Sequence, residues 1–352
     1  MINTKKYFTE RLLRWNKTVN ERAMPWKGEK DPYKIWLSEI ILQQTRVAQG
    51  WDYYDRFVDA FPTIQHLAKA PETKVFKLWE GLGYYTRCRN LIATAKFIVE
   101  KHRGKFPHDY SEILALKGVG PYTAAAIASF AFDLPYAVVD GNVFRVLSRY
   151  FGINKPIDSM EGKKLFTRLA DELLDKKHPG IYNQALMDLG AVVCKPQLPL
   201  CATCPLESKC IANLKGITDT LPVKEKKTLK KKRWFYYLVA EYNGGVYVRK
   251  RSDKDIWQNL YEFILTETPA AIPAKQLKDL PVKGLSLSKT KFDIVHVSNI
   301  FRQQLTHLLI EGQFIRVRLK GPIHVKGYKT VTHRQLQKLP FPKFITSWFA
   351  ER

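Results

Sequence analysis

Acidic residues are scarce in this chain, and their scarcity limits what it can bind. Its 352 residues include 33 Asp and Glu against 58 Lys and Arg, a formal net charge of +25. Such an excess of cations predicts a polyanionic partner, with nucleic acid first and an acidic membrane surface second. The 45% hydrophobic content excludes a purely solvating or disordered chain, and the 12% aromatic content is typical of a protein with stacking surfaces.

Long apolar runs are also missing. No stretch approaches the roughly 20 apolar residues that a membrane-spanning helix needs. Residues 1–21 carry charges throughout and lack the apolar centre of a signal peptide. We therefore expect a cytoplasmic protein with no membrane partner.

Cysteines are few, and four of the five are crowded together. Their spacing is C-x6-C-x2-C-x5-C, at Cys194, Cys201, Cys204 and Cys210. This pattern fits a metal or cluster site in a reducing compartment better than a disulfide framework. The candidates are a [4Fe–4S] cluster and zinc, and the spacing favours the cluster because structural zinc usually binds two short knuckles. Cys88 stands alone and is expected to be a small core residue.

The chain is organised around a segment that reads LKGVGPYTAAAIASFAFDLPYAVVDGNV. Gly118 and Gly120 flank Val119 and lead into Pro121, which predicts a tight turn that continues into the first turn of a helix. Glycines let a phosphate come close, and the free N–H groups of the first helical turn point at it. The segment therefore predicts a site that binds the phosphates of a DNA backbone.

Two carboxylates stand out near this segment. Asp140 follows a hydrophobic arm in the sequence VDGNV. Glu39 lies among apolar residues of a helix predicted over residues 32–51, after an N-cap at Asp31 and a proline at the first helical position. Its carboxylate is expected to look partly inward, where desolvation raises a pKa. For an isolated glutamate, the alternative is an exposed position at the rim of the helix.

Apolar spacing divides the chain into a helical part and a mixed part. The further predicted helices span residues 3–22, 52–60, 63–69, 71–79, 87–102, 109–115, 142–151, 159–177 and 180–193. From residue 234 the apolar period becomes two, with a β-hairpin turning at 243–245, strands at 292–301 and 304–319, and helices at 331–339 and 342–349. We predict an all-α domain at 1–214, a basic linker at 215–233 and an α+β domain at 234–352.

The glycine hairpin, the later aspartate and the four-Cys loop, in this order, resemble the helix-hairpin-helix DNA glycosylases of the endonuclease III superfamily. Within it, the MutY-type adenine DNA glycosylases are similar in the stretches MPW, WLSEIILQQTRV, GLGYYTRCRN, LKGVGPYTA, VDGNVFRVLSR and NQALMDLG. These stretches and the cysteines span residues 24–210. The resemblance implies a six-helix core at about 30–134, and an iron–sulfur half formed by the N-terminal helix with residues 135–214.

It also implies that residues 234–352 form a Nudix-like lesion-recognition domain, in which WQNLYEF at 257–263 matches an early strand region. The chain lacks the Glu-rich REx2EE helix that a Nudix hydrolase needs for Mg²⁺. We therefore expect a binding module and not a second enzyme.

The implied reaction is removal of adenine mispaired with 8-oxoguanine or guanine in base excision repair. The endonuclease III branch carries a Lys after its Gly-Pro pair as a Schiff-base nucleophile, whereas this chain has Tyr122, which indicates base removal by water alone. By resemblance, Glu39 is the acid at adenine N7, Asp140 stabilises the oxocarbenium ion or bonds to it transiently, and Tyr122 orients Asp140. The adenine must be flipped out of the duplex.

The resemblance also assigns substrate contacts in the helical domain. They are Trp26, Lys27, Leu42, Gln44, Tyr84 and Asp188, of which Lys27 stands where some members carry Arg. Trp26 and Asp188 are expected to line the adenine pocket. Gln44 and Tyr84 are expected to enter the double helix on the 8-oxoguanine side.

One loop departs from the family pattern. The family reads 8-oxoguanine with a Phe-Ser-His loop, and this chain has Leu305, Thr306 and His307. The hydroxyl and the imidazole persist, so Thr306 and His307 are expected to contact the lesion, but the aromatic ring is absent. For a Thr-His pair alone, the alternative is an ordinary strand.

The expected partner is double-stranded DNA with A opposite 8-oxoguanine or G, and the expected form is a monomer with one [4Fe–4S] cluster, associated with a bacterial nucleoid. Two other functions stay open. One is a thymine or oxidised-pyrimidine glycosylase of the same superfamily. The other is a non-catalytic iron–sulfur protein that only binds DNA, for which salt-dependent binding without base loss is expected.

Overall fold

The computed structural model describes residues 2–225, 231–273, 277 and 292–351. They belong to two compact units: the helical unit, Met1–Lys69 with Arg89–Lys226, and the C-terminal unit, Ala70–Cys88 with Lys227–Arg352. Within the described ranges, no helix combines the length and apolar character needed to cross a membrane.

Twelve α-helices occur in the described chain up to residue 214. In chain order they are α1 (Ile2–Thr18), α2 (Pro32–Leu42), α3 (Val47–Ala60), α4 (Ile64–Lys69), α5 (Glu72–Leu78), α6 (Tyr85–Lys101), α7 (Tyr110–Ala115), α8 (Pro121–Phe132), α9 (Gly141–Phe151), α10 (Met160–Leu173), α11 (Pro179–Val192) and α12 (Ile211–Leu214). Helix α5 lies in the C-terminal unit. The predicted all-α character of the first part is confirmed.

Helix α8 is buried on nearly all sides by α2, α7 and α11. Its residues 123–129 are mostly alanine and serine, and these small side chains let neighbouring helices approach closely. A Cβ at Gly180 of α11 would lie only 2.7 Å from the backbone oxygen of Ser129 in α8. A larger residue at 180 would therefore push the two helices apart.

A second core lies among α1, α9, α10 and α11. Fully buried side chains fill it, among them Phe8, Tyr150, Phe166 and Leu189. Phe8 and Tyr150 meet edge to face with their ring centroids 4.8 Å apart. Cys88, on α6, is buried as expected.

The prediction of one helix over residues 32–51 is wrong. Helix α2 ends at Leu42 and α3 begins at Val47, because the backbone at Gln44 has a left-handed φ of 57°. The start of α2 is confirmed, since the carboxylate of Asp31 accepts a hydrogen bond from the N–H of Tyr33 (2.9 Å). The break contains neither glycine nor proline, so it carried no sequence signal.

The predicted basic linker at 215–233 is only partly a linker. Leu221 is buried, and its carbonyl accepts a hydrogen bond from Nε of Arg149 on α9 (3.1 Å). The N–H of Ile157 donates to the carbonyl of Val223 (3.0 Å), so residues up to 225 pack on the helical unit. Residues 226–230 lie outside the described residues, and the remaining three already belong to a strand.

The C-terminal unit contains an eight-stranded mixed sheet in its described part. Its strands are β1 (Lys231–Tyr242), β2 (Gly245–Lys250), β3 (Tyr261–Glu262), β4 (Ile264–Thr268), β5 (Phe292–Val297), β6 (Phe301–Gln304), β7 (Leu308–Leu319) and β8 (Lys329–Thr332), followed by α13 (His333–Leu336) and α14 (Lys343–Ala350). The spatial order is β3-β2-β1-β7-β5, with β4 paired to β1, β6 to β7 and β8 to β2. β1 and β7 pair in parallel, and the other pairs are antiparallel.

The predicted hairpin is confirmed, and a second one was missed. Asn243 and Gly244 form the two-residue turn between β1 and β2, both with positive φ, as tight hairpin turns require. The strand predicted over 304–319 is wrong at its start, because residues 305–307 turn the chain between β6 and β7. The helix predicted over 331–339 is shorter, with residues 331 and 332 still in β8.

Residues 70–88 belong by sequence to the predicted helical domain, but they pack within the C-terminal unit. The N–H of Phe341 donates to the carboxylate of Glu80 (2.7 Å), and Nζ of Lys77 donates to the carbonyl of Leu339 (3.2 Å). The segment carries α5 and the glycine loop that precedes α6. Tyr84 in this loop is therefore positioned by the C-terminal unit.

Candidate active site

The glycine hairpin joins α7 to α8. Gly118 has φ of 84°, and a Cβ there would lie 2.8 Å from the side chain of Asn90, so both backbone and packing require glycine. Gly120 is the N-cap of α8 and has no atom within 4 Å of a Cβ position, which leaves open space in front of the helix. The first N–H groups of α8 lack partners within the helix. The hairpin, with Val119 between the glycines, thus has the geometry of an anion site.

Asp140 is the N-cap of α9, and this role fixes its carboxylate. Oδ1 accepts from the N–H of Val143 and Oδ2 from the side-chain amide of Asn142, both at 2.7 Å. Burial nevertheless raises the pKa of Asp140, and the hydrogen bonds from Val143 and Asn142 oppose that rise only in part. The carboxylate is therefore rigid and poorly solvated.

A chain of hydrogen bonds runs behind Asp140. Nη2 of Arg145 donates to Oδ1 of Asn142 (2.8 Å) and to the carbonyl of Gly190 (2.8 Å), while its Nε donates to the carbonyl of Cys194 (2.7 Å). Arg145 is buried at 8% exposure. Asn142 is thereby held in the orientation that lets it donate to Asp140.

Glu39 is buried in α2, at 4% exposure, so the inward orientation is the one observed. Burial raises its pKa to about 7; a hydrogen bond with Tyr122 opposes the rise, and the charge of Asp140 adds to it. Its Oε2 has no hydrogen-bond partner among the described residues. Burial, Glu39 and Asp140 together raise the pKa of Tyr122 well above its usual value, so Tyr122 stays a neutral hydroxyl.

A pocket of about 240 Å³ opens beside Glu39. It is lined by Asn16, Trp26, Lys27, Gly28, Glu29, Lys30, Ile35, Ser38, Glu39, Phe130, Gly180, Ile181 and Gln184. It is smaller than the roughly 300–1,000 Å³ of drug-sized sites, which suits a ligand of nucleobase size. Trp26 forms one wall and packs edge to face on Tyr54, with ring centroids 5.3 Å apart.

Asp188 is fully buried and touches this pocket only through other residues. Its carboxylate pairs with Arg22 (2.7 Å) and Lys27 (3.2 Å). It also accepts from the side-chain amides of Asn20 and Gln184, both at 2.8 Å. Asp188 therefore fixes Lys27 and Gln184 as pocket walls and does not itself line the cavity.

Two further predicted contacts lie elsewhere. Leu42 is the last residue of α2 and is partly buried. A Cβ at Gly50 would lie 2.8 Å from Cδ2 of Leu42. Gln44 is exposed in the turn after α2. Neither residue lines the pocket.

The predicted lesion-reading residues come together in the C-terminal unit. Thr306 and His307 are exposed at the tip of the β6–β7 hairpin, beside a partly buried Leu305. The hydroxyl of Thr306 bonds to the hydroxyl of Tyr84 (2.7 Å). Tyr84 has φ of 48° and is 46% exposed, with the guanidinium of Arg87 5.2 Å from its ring centroid.

The four crowded cysteines line one small cavity of about 30 Å³ at the end of α11. Arg149 also lines this cavity. Its Nη1 donates to Sγ of Cys194 (3.5 Å) and to the carbonyl of Lys195 (2.7 Å). Among the described residues, no three His, Cys, Asp or Glu side chains stand at metal-binding distances from a common point. The four thiols thus share one cavity, and a guanidinium donates to one of them.

Sequence reasoning missed several residues of this site. Gln184 stands four residues before Asp188 on α11, so helical spacing alone could have linked the two. Arg22 lies in an irregular segment, and no spacing rule relates it to α11. Asn142 and Arg145 were both in a quoted motif, but only the folded chain shows that they hold Asp140.

Comparison with known proteins agrees with this architecture. Residues 37–172 match the model of the HhH-GPD superfamily of base excision DNA repair proteins, and residues 235–350 match the NUDIX domain. An adenine DNA glycosylase of Buchnera aphidicola subsp. Baizongia pistaciae is 36% identical over 304 residues, which cover 86% of this chain and 84% of that protein. The human adenine DNA glycosylase is 43% identical over 214 residues, 58% of this chain and 39% of that protein.

A solved structure titled as a thermostable thymine-DNA glycosylase is also similar, with a TM-score of 0.56 and 30% identity over 60% of this chain and 98% of that chain. These matches show that the chain is a DNA N-glycosylase of base excision repair, an enzyme that hydrolyses the bond between base and sugar. The base-sized pocket beside the buried Glu39 is consistent with that class. The chain belongs to the adenine DNA glycosylase family.

Proposed function

We propose that this enzyme removes adenine paired with 8-oxoguanine or guanine in double-stranded DNA. One observation carries the proposal: Glu39, a carboxyl group with a pKa of about 7, lines a base-sized pocket and interacts with Asp140. An acid with such a pKa is about half protonated at neutral pH and can donate to a leaving base. The likeness to adenine glycosylases favours adenine as that base.

The reaction breaks the bond between C1′ and N9, and its electron pair leaves with adenine. Trp26 and Lys27 would hold the flipped base in the pocket, and Glu39 would donate a proton to N7. Asp140 would face the positive charge on the sugar, held by Val143 and Asn142, with Tyr122 orienting it. A water then bonds to C1′ and loses a proton to the Glu39 carboxylate.

Position 122 supports a reaction without strand cleavage. A lyase of this superfamily needs an amine to form an imine with C1′, and Tyr122 has none. Its raised pKa also leaves the phenol neutral and therefore a poor nucleophile. Base removal by water alone is the chemistry that remains for this site.

In the C-terminal unit, we assign recognition of 8-oxoguanine to Thr306 and His307, next to Tyr84. Thr306 offers a hydroxyl to the edge of the lesion, and Tyr84 a ring that can enter the base stack. Leu305 supplies an aliphatic contact at the loop position where the family pattern has a phenylalanine ring. Leu42 and Gln44 would contact the DNA beside the position that the flipped adenine leaves. The hairpin at Gly118–Gly120 would bind the DNA backbone.

We further propose that Cys194, Cys201, Cys204 and Cys210 hold a [4Fe–4S] cluster. When bound, the cluster would cross-link the loop after α11 through four thiolates. Replacement of Cys204 by Ser is expected to lower the iron content of the purified protein and its absorbance near the visible cluster band. We also propose that the enzyme acts as a monomer in a bacterial cytoplasm, associated with the nucleoid.

One experiment tests the substrate. Duplexes with A opposite 8-oxoguanine, G, C or T are incubated with excess enzyme, and alkali-labile sites are counted over time. We expect the fastest release opposite 8-oxoguanine and the next fastest opposite G. Faster processing of a mismatched thymine or an oxidised pyrimidine would replace the proposal with a pyrimidine glycosylase, and binding without any base loss would leave only a DNA-binding protein.

A further inference from the structure

The segment that leads into Asp140, residues 136–140, runs between helices without forming regular structure. Its two valines face opposite sides. Val138 is fully buried against Ala125 and Ala126 of α8, and Val139 packs into the core that α1, α9, α10 and α11 enclose. The segment therefore depends on side chains, and not on a helix or sheet, to satisfy its backbone groups.

One side chain satisfies two of them. Oδ1 of Asn183, on α11, accepts from the N–H of Val138 (3.1 Å), and its Nδ2 donates to the carbonyl of Tyr136 (2.9 Å). The same Nδ2 donates to Oγ of Ser129 on α8 (2.9 Å). Asn183 is 1% exposed, so water cannot replace these bonds.

Two other elements hold the same segment from outside. The ring of Tyr136 stacks on Tyr110, the first residue of α7, with centroids 4.0 Å apart and planes 8° from parallel. Asp171 of α10 forms a hydrogen bond with the backbone of Ala137. Both groups lie nearer the surface, whereas Asn183 is the buried member that joins the segment to α8 and α11 together.

Helix α11 also sets the position of the end of this segment. A Cβ at Gly190 would lie 2.6 Å from Cβ of Asn142, so α11 packs tightly on the residue that donates to Asp140. The same helix carries Gln184, which lines the base pocket, and Asp188, which holds Lys27 there. One helix therefore contacts both the base pocket and the support of Asp140.

We propose that Asn183 is a positioning residue for Asp140, which acts by fixing residues 136–138 to α11. Asn183 contacts neither Asp140 nor the pocket and takes no part in the chemistry. Its role rests on the proposed function of Asp140 at the sugar. A carboxylate displaced by about 1 Å would stabilise the sugar cation less, and such displacements lower rates by roughly 100-fold.

The test compares three variants. Asn183→Ala removes all three hydrogen bonds, and Asn183→Asp keeps the shape and the bond from Val138 but cannot donate to Tyr136. Ser129→Ala is the matched control, because it removes only the bond to α8 and leaves the segment attached. Base release is measured in single turnover with excess enzyme, the duplex dissociation constant by titration, and amide hydrogen exchange of residues 136–143 in the free enzyme.

We expect base release to fall by roughly 10- to 100-fold in Asn183→Ala and less in Asn183→Asp, with the dissociation constant unchanged within about threefold. Exchange of residues 136–143 should accelerate in both and stay unchanged in Ser129→Ala. Unchanged exchange in a folded Asn183→Asp protein, or equal losses in Asn183→Asp and Ser129→Ala, would overturn the proposal. If Asp140→Asn released base at the normal rate, the assigned role of Asp140 would fail, and hydrogen exchange would still decide whether Asn183 holds the segment.

Discussion

Two buried carboxylates of the helical unit stand in opposite surroundings. Asp188 is surrounded by the cations of Arg22 and Lys27 and by two amide donors. Glu39 has a hydrogen bond with Tyr122 and no cation paired with it among the described residues. Asp188 is therefore a fully paired anchor, whereas the raised pKa of Glu39 lets it keep a proton near neutral pH.

The contrast shows which of the two groups is available for chemistry. Four donors occupy the carboxylate of Asp188, which leaves no lone pair directed at the pocket. Glu39 lines that pocket and holds a labile proton near neutral pH. Replacing each carboxylate by its amide should therefore have different consequences.

The largest effect is expected from Glu39→Gln. The amide keeps the shape but cannot donate an acidic proton, so base release should fall by roughly 10²- to 10⁴-fold, as for loss of a general acid. Duplex binding should stay within a few-fold. The measurement is single-turnover release from A opposite 8-oxoguanine, with Glu10→Gln, an exposed position on α1, as control. Normal release by Glu39→Gln would remove Glu39 from the mechanism.

The same substitution should raise stability at high pH. The pKa of Glu39 is about 7 in the folded chain and 4.5 when unfolded, so the folded state binds more protons and stability is lost as pH rises from about 4.5 through 7. Above pH 7, Glu39→Gln should therefore unfold with a free energy about 3 kcal/mol higher than the native enzyme. Urea titrations at pH 5 and pH 8 check this, and an equal difference at both would contradict it.

Asp188→Asn should lower the stability of the protein. It leaves Arg22 and Lys27 without their partner, and we expect a loss of about 2 kcal/mol, below the value for fully buried pairs because both cations reach solvent. Thermal unfolding measures the loss. An Asp188→Asn protein as stable as the native one would mean that the four donors are not what anchors the pocket wall.

The smallest effect concerns the C-terminal unit. Tyr84→Phe and Thr306→Val each remove one hydroxyl of the hydrogen-bonded pair. Each should lower the ratio of base release opposite 8-oxoguanine to that opposite guanine by about fivefold, which corresponds to about 1 kcal/mol. The double variant should lose no more than either single one, because the two hydroxyls act as a pair. Additive losses would show that each hydroxyl contacts the DNA alone.

Much of the site was predictable because its signals are local. Glycine at 118 and 120 with Pro121 defines a turn and a helix start in any context, and Asp140 follows at a short distance along the chain. Four cysteines within one loop must lie close together. Each of these inferences needs only the geometry of a few consecutive residues.

What failed had no local cause. The break after Leu42 arises at Gln44 without glycine or proline, and the turn at residues 305–307 interrupts a stretch with strand composition. Residues 70–88 read as part of the helical domain but pack with the C-terminal unit. In each case contacts with distant residues outweigh weak local preferences.

The sequence by itself indicated the class of enzyme through the family resemblance. Its residue types also predicted the glycine hairpin, Glu39, Asp140 and the four crowded thiols as candidate site residues. Only the tertiary structure showed how differently Glu39 and Asp188 are paired. Glu39 and Asp188 are both carboxylates on helices, and their surroundings differ because Arg22, Lys27 and Asn20 reach Asp188 from more than 160 residues away along the chain. Desolvation and pairing are properties of neighbours in space, and the fold alone brings those neighbours together.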